Sequence, residues 1–539
     1  MKKVHLLLLS LFSGLLLTFS WPAGGFPGLL FIGFIPLLFI EDHIHKHPKD
    51  FHLFSPLFYS YPAFLIWNGL TTWWVWNSTP VGGVAAIVVN AFLMSLVVSL
   101  FHISKRAVFA PGKGHFILVF YWITFELLHL NWELNWPWLN LGNGFSNYVK
   151  WIQWYEFTGA FGGTLWVLVV NILLYHLIRI SLSGKMQVRT AAVFGSGAFI
   201  MLAGPLLFSY IQYHTYQEEE NPVNVVVVQP NVDPYHEQFI LPPAEVVERN
   251  LGLAEELVDE QTELIVSPES AIQEEIWEGQ LHYSGTLRLL KKYVTEHPGL
   301  GIIIGASTRK EYLSGEGVSP TARKFVDANR YYDRYNTAFY IDTAEITQWT
   351  HKSKLTPGVE RMPYPQYFKF LEDYAIDLGG TIGSLGTDIQ RKVFTRSGDS
   401  LKFAAAICYE SVFGQFFSGF VRNGAMLMFV VTNDGWWGDT PGHRQHLSFS
   451  RLRAIECRRS IGRSANTGIS CFINQRGDVS MATKYWVTAV IRKDINANDK
   501  ITFYTRYGDF IARISLFIAG IMVLYTIAAA LMHRKKLKK

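Results

Sequence analysis

Apolar residues run in long, nearly unbroken stretches through the first 210 positions, then in short runs divided by charged segments. Stretches near the ~20 residues that cross a hydrocarbon core fall at roughly 4–20, 25–41, 53–76, 81–103, 115–131, 157–178 and 190–210, with an eighth at roughly 510–532. Their Gly, Pro, Trp and Tyr residues suit membrane helices, which tolerate the first two and place the aromatics at interfaces. The first stretch, behind Lys2 and Lys3, has the look of a signal peptide. No Ala-x-Ala cleavage site follows it, so it is expected to be a retained helix.

Beyond Asn224 the pattern changes. Val225–Val228, Leu264–Val266, Gly301–Ile304, Ala338–Ile341, Phe403–Ile407 and Met426–Val431 are short apolar runs of the kind that form buried strands. Between them Ala244–Asp259 and Gly285–Glu296 read as amphipathic helices. Strands alternating with helices indicate an α/β domain on a largely buried sheet. The expected organisation is a membrane domain at 1–211, a globular domain at 212–508, and a final helix with a basic tail at 509–539, hinged at Tyr213–Pro222.

Charge placement supports that division and suggests sides. Only six of the 43 acidic residues lie in 1–210: Glu41, Asp42, Asp50, Glu126, Glu133 and Glu156. Lys2/Lys3, Lys46/Lys49, Lys105/Arg106/Lys113 and Arg179/Lys185/Arg189 mark alternate loops, and His533–Lys539 marks the tail. By the positive-inside rule both termini are cytoplasmic and the globular domain is external. The net charge of +5 is then mostly topology, and no basic patch for nucleic acid stands out. A composition of 49% hydrophobic and 17% charged residues fits such a mixed chain. Glu126, inside the fifth stretch, is a candidate for function or for a helix–helix hydrogen bond. Trp132, Trp136, Trp138, Trp151 and Trp154 read as an interfacial belt or the lining of a lipid entrance.

Three cysteines, Cys408, Cys457 and Cys471, make no disulfide framework, although a Cys457–Cys471 bridge stays open. No Cys-x-x-Cys or clustered His suggests a zinc site, and no cofactor is expected. Chemistry gathers instead at strand ends. Ser267-Pro-Glu-Ser270 offers Glu269, His351-Lys-Ser-Lys-Leu-Thr-Pro-Gly-Val-Glu360 offers Lys352 and Glu360, and Phe403-Ala-Ala-Ala-Ile-Cys-Tyr-Glu410 ends in Cys408. A thiol must become a thiolate to attack a carbonyl. A carboxylate can accept its proton, and an ammonium can stabilise both thiolate and oxyanion.

The order Pro-Glu-Ser, Lys-x-x-Leu-x-Pro-x-x-Glu, Ile-Cys-Tyr-Glu resembles the Glu-Lys-Cys triad of the nitrilase (carbon-nitrogen hydrolase) superfamily. Asn433-Asp-Gly-Trp-Trp-Gly438, Gln445-His446, Arg453-Ala-Ile-Glu456, Arg463-Ser-Ala-Asn-Thr-Gly468 and Trp136-Pro-Trp-Leu-Asn-Leu-Gly142 are similar to segments of one branch, the apolipoprotein N-acyltransferases. The resemblance implies about eight transmembrane helices plus an external nitrilase-like α-β-β-α sandwich in a bacterial inner membrane. It implies Glu269 as general base, Cys408 as nucleophile and Lys352 as the cation near the oxyanion. Glu360 would orient Lys352, and Tyr409 and Glu410 would line the site. The implied reaction moves an acyl chain from a phospholipid, through a Cys408 thioester, to the α-amino group of a diacylglyceryl-cysteine at an apolipoprotein N-terminus. Many members carry a Lys-Trp pair after Gln-x-Asn; here Gln229-Pro-Asn231 leads instead to Tyr235 and Phe239, one of which would replace that Trp. Lys354, two residues on, is the nearest competitor to Lys352. The competing readings are a membrane-tethered amidase or nitrilase acting on a soluble substrate, and a transporter or receptor without catalysis.

Overall fold

The computed structural model describes residues 2–182, 188–313, 315–326, 328–345, 347–364, 384–399 and 401–537, with side chains to 532. Lys185 and the side chains of the basic tail lie outside the described residues. The chain divides into two compact units: Met1–Trp76 with Pro80–Thr215 and Tyr507–Lys539, and Asn77–Thr79 with Tyr216–Arg506.

The first unit is helical. Its main helices are α1 (Lys3–Thr18), α2 (Ile35–Lys46), α3 (Ser55–Thr72), α4 (Pro80–Val108), α5 (Ile117–His129), α6 (Ala160–Leu182) and α7 (Val188–Thr215), with a C-terminal helix at Phe510–Leu537. Each of the eight apolar stretches thus contains a helix. Five segments, Pro27–Lys46, Pro80–Val108, Ala160–Leu182, Val188–Thr215 and Phe510–Met532, are long and apolar enough to cross a membrane. Helices α1 and α5 are apolar but shorter, and α3 is made more polar by Ser60, Asn68, Thr71 and Thr72.

Polar groups inside this unit satisfy one another, because an unpaired polar group in an apolar interior is costly. Asn90 Nδ2 on α4 donates to Asn68 Oδ1 on α3 at 2.8 Å. Lys105, one of the basic loop markers, is fully buried and pairs with Glu41, which also meets His102 Nδ1 at 2.8 Å. Glu126 links two elements. Its Oε1 accepts from Trp122 Nε1 at 3.0 Å and from the Leu141 amide at 2.8 Å, and its Oε2 accepts from Thr164 Oγ1 at 2.7 Å. The Pro137–Phe145 segment is thereby pinned against α6, so closely that a Cβ at Gly142 would collide with the Ala160 carbonyl. Of the five tryptophans expected at an interface, Trp138 is instead buried, stacked on Trp136 with ring centroids 5.5 Å apart.

The second unit is a helix–sheet–sheet–helix sandwich. Its strands are β1 (Pro222–Gln229), β2 (Leu264–Val266), β3 (Ile272–Trp277), β4 (Gly301–Glu311), β5 (Arg323–Lys324), β6 (Tyr331–Ile341), β7 (Gln348–His351), β8 (Phe394–Thr395), β9 (Lys402–Ile407), β10 (Leu427–Thr432), β11 (Ile461–Ala465), β12 (Cys471–Ile473), β13 (Val479–Ser480) and β14 (Ala489–Asn496). Among the described residues one sheet runs β14-β1-β2-β4-β6-β5, with β3 on β4 and β7 on β6, and the other runs β13-β12-β11-β10-β9-β8. β1, β2 and β4 are parallel, as are β9, β10 and β11. Their Val- and Ile-rich runs are what a sheet buried on both faces demands.

Alternate residues divide the core. Val225, Val227, Leu264, Val266 and Ile303 of one sheet meet Phe403, Ala405, Ile407, Leu427, Phe429 and Val431 of the other. Val226, Val228, Ile265, Ile302 and Ile304 face outward onto α8 (Pro243–Glu255) and α9 (Gly285–Glu296), which contribute Val247, Ala254, Leu287, Leu290 and Val294. The helices of the other layer are α10 (Gly414–Arg422) and α11 (Pro441–Cys457). In such sheets the carboxyl ends of parallel strands are where loops can gather side chains.

Candidate active site

Lys352, Cys408 and Asn433 each follow directly on a strand, at the ends of β7, β9 and β10, and Glu269 stands three residues past the end of β2. All four line one cavity of about 320 Å³. Lys352 Nζ lies 2.8 Å from Glu269 Oε1 and 2.8 Å from Glu360 Oε1. Asn336, on β6, donates from Nδ2 to Glu269 Oε1 at 2.8 Å and to Glu360 Oε1 at 3.1 Å. The amide of Asn433 donates to Glu269 Oε2 at 3.0 Å, and the amide of Thr356 donates to Glu360 Oε2 at 2.9 Å. Both carboxylates are therefore held at both oxygens, with one ammonium between them.

Cys408 is half-buried and its backbone is left-handed, at φ +50°. For a residue with a Cβ that conformation costs about 1–2 kcal/mol, so surrounding contacts must impose it. Glu410 Oε2 accepts from the Ile407 amide at 2.8 Å and its Oε1 from the Ser353 amide at 2.6 Å, bracing the turn from below. Ser411 Oγ donates to the Cys408 carbonyl at 2.8 Å, and His446 Nε2 lies 3.1 Å from the same oxygen. His446 Nδ1 in turn lies 2.9 Å from Asp434 Oδ1, whose Oδ2 accepts from Arg463 Nη2 at 2.6 Å. The sequence-expected residues thus separate into two sets. Glu269, Lys352, Glu360 and Cys408 share the cavity, whereas Tyr409, packed edge-on against Phe413, and Glu410 lie beneath the turn rather than lining it. Lys354 sits over the Phe413 ring, 4.9 Å from its centroid, and not beside Glu269. Phe239 reaches the cavity wall with Trp436, and Tyr235 OH donates to the Trp436 carbonyl at 2.9 Å.

Charge and burial set the resting protonation states. Burial depresses the Lys352 pKa, but the carboxylates of Glu269 and Glu360 outweigh it and hold the ammonium well above its ordinary range. Burial raises the Glu360 pKa, but Lys352 more than reverses this and keeps the carboxyl below its ordinary value. Burial pushes the Cys408 thiol well up, Glu269 adds to the rise, and Lys352 opposes it. The resting sulfur is a thiol, so a nearby proton acceptor is required to make it a nucleophile. The Cys408 sulfur, His446 and Asp434 offer ligand atoms within 4.8 Å of one another. The histidine and carboxylate are, however, turned toward the Cys408 carbonyl, Arg463 and each other, an arrangement that braces the turn. All three cysteines are free thiols, so Cys457 and Cys471 are not bridged.

Sequence reading missed Asn336, and treated Asp434, His446 and Arg463 only as parts of longer segments. A lone Asn336 just before the apolar run Ala338–Ile341 was the available signal; the burial of Arg463 in β11 shows only in the structure.

Residues 13–173 match the family model described as apolipoprotein N-acyltransferase N-terminal domain, and residues 225–501 match that described as carbon-nitrogen hydrolase. An apolipoprotein N-acyltransferase of Chlorobaculum tepidum is 32% identical over 533 residues, covering 96% of this chain and 95% of its own length. The chain belongs to the apolipoprotein N-acyltransferase family. A second relative of the same name, from Geobacter metallireducens, is 26% identical and covers 98% of this chain and 95% of its own length. Among solved structures, an amidase from Nesterenkonia sp. covers 56% of this chain and 98% of its own, at 13% identity and a TM-score of 0.34.

Proposed function

We propose that this chain moves an acyl chain from a phospholipid to the α-amino group of an N-terminal diacylglyceryl-cysteine, with Cys408 carrying the acyl group in between. The carrying observation is the grouping of Glu269, Lys352 and Cys408 around one cavity, with Glu269 held at both oxygens. Glu269 takes the Cys408 proton as the sulfur attacks the donor's ester carbonyl. Lys352, held as an ammonium by Glu269 and Glu360, stabilises the oxyanion of the tetrahedral intermediate. Collapse breaks the carbon–oxygen bond, Glu269 returns the proton to the departing lysolipid hydroxyl, and a thioester remains. The acceptor amine then attacks that thioester, Glu269 takes the amine's proton, and carbon–sulfur cleavage regenerates the thiol with that proton. Glu360 acts through Lys352 by fixing the ammonium.

The test is to mix the purified protein with a phospholipid labelled in its acyl chains and analyse it by mass spectrometry. A hydroxylamine-labile acyl adduct on Cys408 is expected. Its absence in an active preparation, or activity in Cys408→Ala, refutes the mechanism. Cys408→Ser should retain little turnover, because an oxygen ester is a poorer acyl donor to an amine. The alternation of basic loops supports a periplasmic catalytic unit with both termini in the cytoplasm. A tag placed after Lys539 should then be inaccessible from outside intact cells, and labelling of that tag would reverse the orientation.

A further inference from the structure

The cavity holding Cys408 continues to a second polar end that the acyl-transfer chemistry leaves unused. Arg309 on β4 and Arg334 on β6 stand directly opposite each other in the antiparallel ladder, and both line the cavity. Arg334 shares a face of β6 with Asn336, which bonds Glu269, so the two ends are two strand residues apart, about 7 Å. A single carboxylate spans the two guanidinium groups. Glu275 Oε1 lies 2.7 Å from Arg334 Nη2, and its other oxygen pairs with Arg309. Glu275 is 43% exposed and sits on a left-handed backbone at φ +55° in the irregular strand β3, whereas the arginines are 20% and 18% exposed. Arg309 also packs against the Trp277 and Tyr332 rings, with its guanidinium carbon 5.6 Å from each ring centroid. The cations are thus the more buried partners and the anion is the more exposed one. Arg323, on the neighbouring strand, adds positive charge; burial and the charge of Arg334 lower its pKa.

Two convergent guanidinium forks are the arrangement that binds a tetrahedral oxyanion bidentately. We propose that Arg309 and Arg334 form a phosphate subsite that holds the phosphodiester of the acyl donor while its ester carbonyl faces Cys408, with Glu275 as the internal anion that phosphate displaces. A glycerol backbone separates an ester carbonyl from its phosphate by a span of the same order as the ~7 Å between the two ends of the cavity. The inference rests on the acyl-transfer reading above and names the group by which that site selects its donor.

The test measures Cys408 thioester formation by the full-length protein from a phosphatidyl donor and from diacylglycerol bearing the same chains. The readout is the ratio of the two second-order rate constants. The wild type should favour the phosphatidyl donor. Arg309→Gln and Arg334→Gln should each reduce the ratio about tenfold, as expected for loss of one charge-assisted bidentate contact. Glu275→Gln, which removes the carboxylate charge the two cations share, should raise it. If a Gln variant fails to fold, Arg309→Lys and Arg334→Lys keep the charge without the fork and should lower the ratio by a smaller factor. A deacylated phospholipid headgroup should compete better than inorganic phosphate, and the reverse order would mean a free-phosphate site and overturn the assignment. An unchanged ratio in the arginine variants, or a lowered one in Glu275→Gln, also overturns it. No thioester from either donor would defeat the acyl-transfer mechanism itself, whereas a thioester formed without discrimination defeats only the subsite.

Discussion

Replacing Lys352 by Met removes the ammonium that lies between the Glu269 and Glu360 carboxylates while keeping most of the side-chain volume. Its ammonium makes two 2.8 Å ion pairs and is 2% exposed, with Glu269 7% and Glu360 13% exposed. Breaking a buried pair by deleting one partner leaves an uncompensated charge and costs about 3–5 kcal/mol. Here two carboxylates are left sharing the Asn336 amide at Oε1, with the neutral Asn433 and Thr356 amides at Oε2, so the upper part of that range is expected near neutral pH. The pH dependence gives the sharper test. In the wild type the Lys352 pKa is raised, so its contribution is complete below the ordinary value of 10.5 and is lost only as pH rises through the higher folded value. Glu360 is lowered, so its contribution is present above the ordinary 4.5 and is lost as pH falls through the folded value. Between those limits the wild type should be flat in both terms. Without the ammonium, two neighbouring carboxylates resist being ionised together and one takes up a proton. Lys352→Met should therefore be markedly less stable than Cys408→Ala at pH 8 and recover much of that loss at pH 5.5. Thermal unfolding of the detergent-solubilised variants, followed by tryptophan fluorescence, measures this. Equal stability of the two variants at pH 8, or a deficit that does not shrink on acidification, would refute the electrostatic account.

Gly305→Ala would place a Cβ 2.5 Å from the Ser270 amide and 2.6 Å from the Glu269 Cα; since both are backbone, it should shift Glu269 and lower the acylation rate at least tenfold in a single-turnover assay. Cys408→Gly should unfold at a higher temperature than Cys408→Ala, by about 1 kcal/mol of relieved left-handed strain, although both lack the nucleophile; equal melting would mean that the turn is not strained. Glu410 has a pKa raised to about 7 by burial, against three backbone amides that lower it. Its stabilising contribution is complete below 4.5 and is lost as pH rises through about 7, on the order of 3 kcal/mol. Glu410→Gln should remove that slope from a plot of unfolding temperature against pH, and an unchanged slope would place the titration elsewhere.

What could be read from the sequence follows from how burial writes itself into composition. Strands covered on both faces must be apolar throughout, so β1, β2, β9 and β10 stood out as runs such as Val225–Val228 and Phe403–Ile407. The edge strand β14 carries Arg492, Lys493 and Asp494, and β11 carries Arg463, so neither showed an apolar run. Glu269, Lys352 and Cys408 were found because each lies next to a strand in a recognisable segment. Asn336 was not, since its role arises only when β6 lies beside β7 and brings an amide between two carboxylates from distant loops. Tyr409 and Glu410 were expected to line the site because they match family positions beside Cys408. The left-handed backbone at Cys408 breaks that inference by turning the chain, so the next two side chains go under the elbow instead of beside it. The basic loop marker Lys105 shows the same limit, because a charge counted for topology can also be buried against a partner such as Glu41.

The cavity takes its base and cation from one sheet and its sulfur from the other. Glu269 and Lys352 come after β2 and β7, whereas Cys408 and Asn433 come after β9 and β10. No backbone ladder joins the two sheets in the described residues; between them lies the apolar layer in which Val227, Val266 and Ile303 face Ala405, Ile407 and Val431. The spacing of carboxylate, ammonium and sulfur is therefore set by side-chain volume in that layer, and close-packed interiors transmit a change of even one methylene. Three consecutive alanines, Ala404, Ala405 and Ala406, precede the nucleophile strand's last residue and are fully buried, which lets β9 lie close to its neighbours. The Asn433 amide to Glu269 Oε2 bond, 3.0 Å across the divide, then registers one sheet on the other at the point of chemistry. Precision at this site thus depends on packing across the sandwich together with the hydrogen bonds that cross it, from the Asn433 amide to Glu269 and from the Ser353 amide to Glu410.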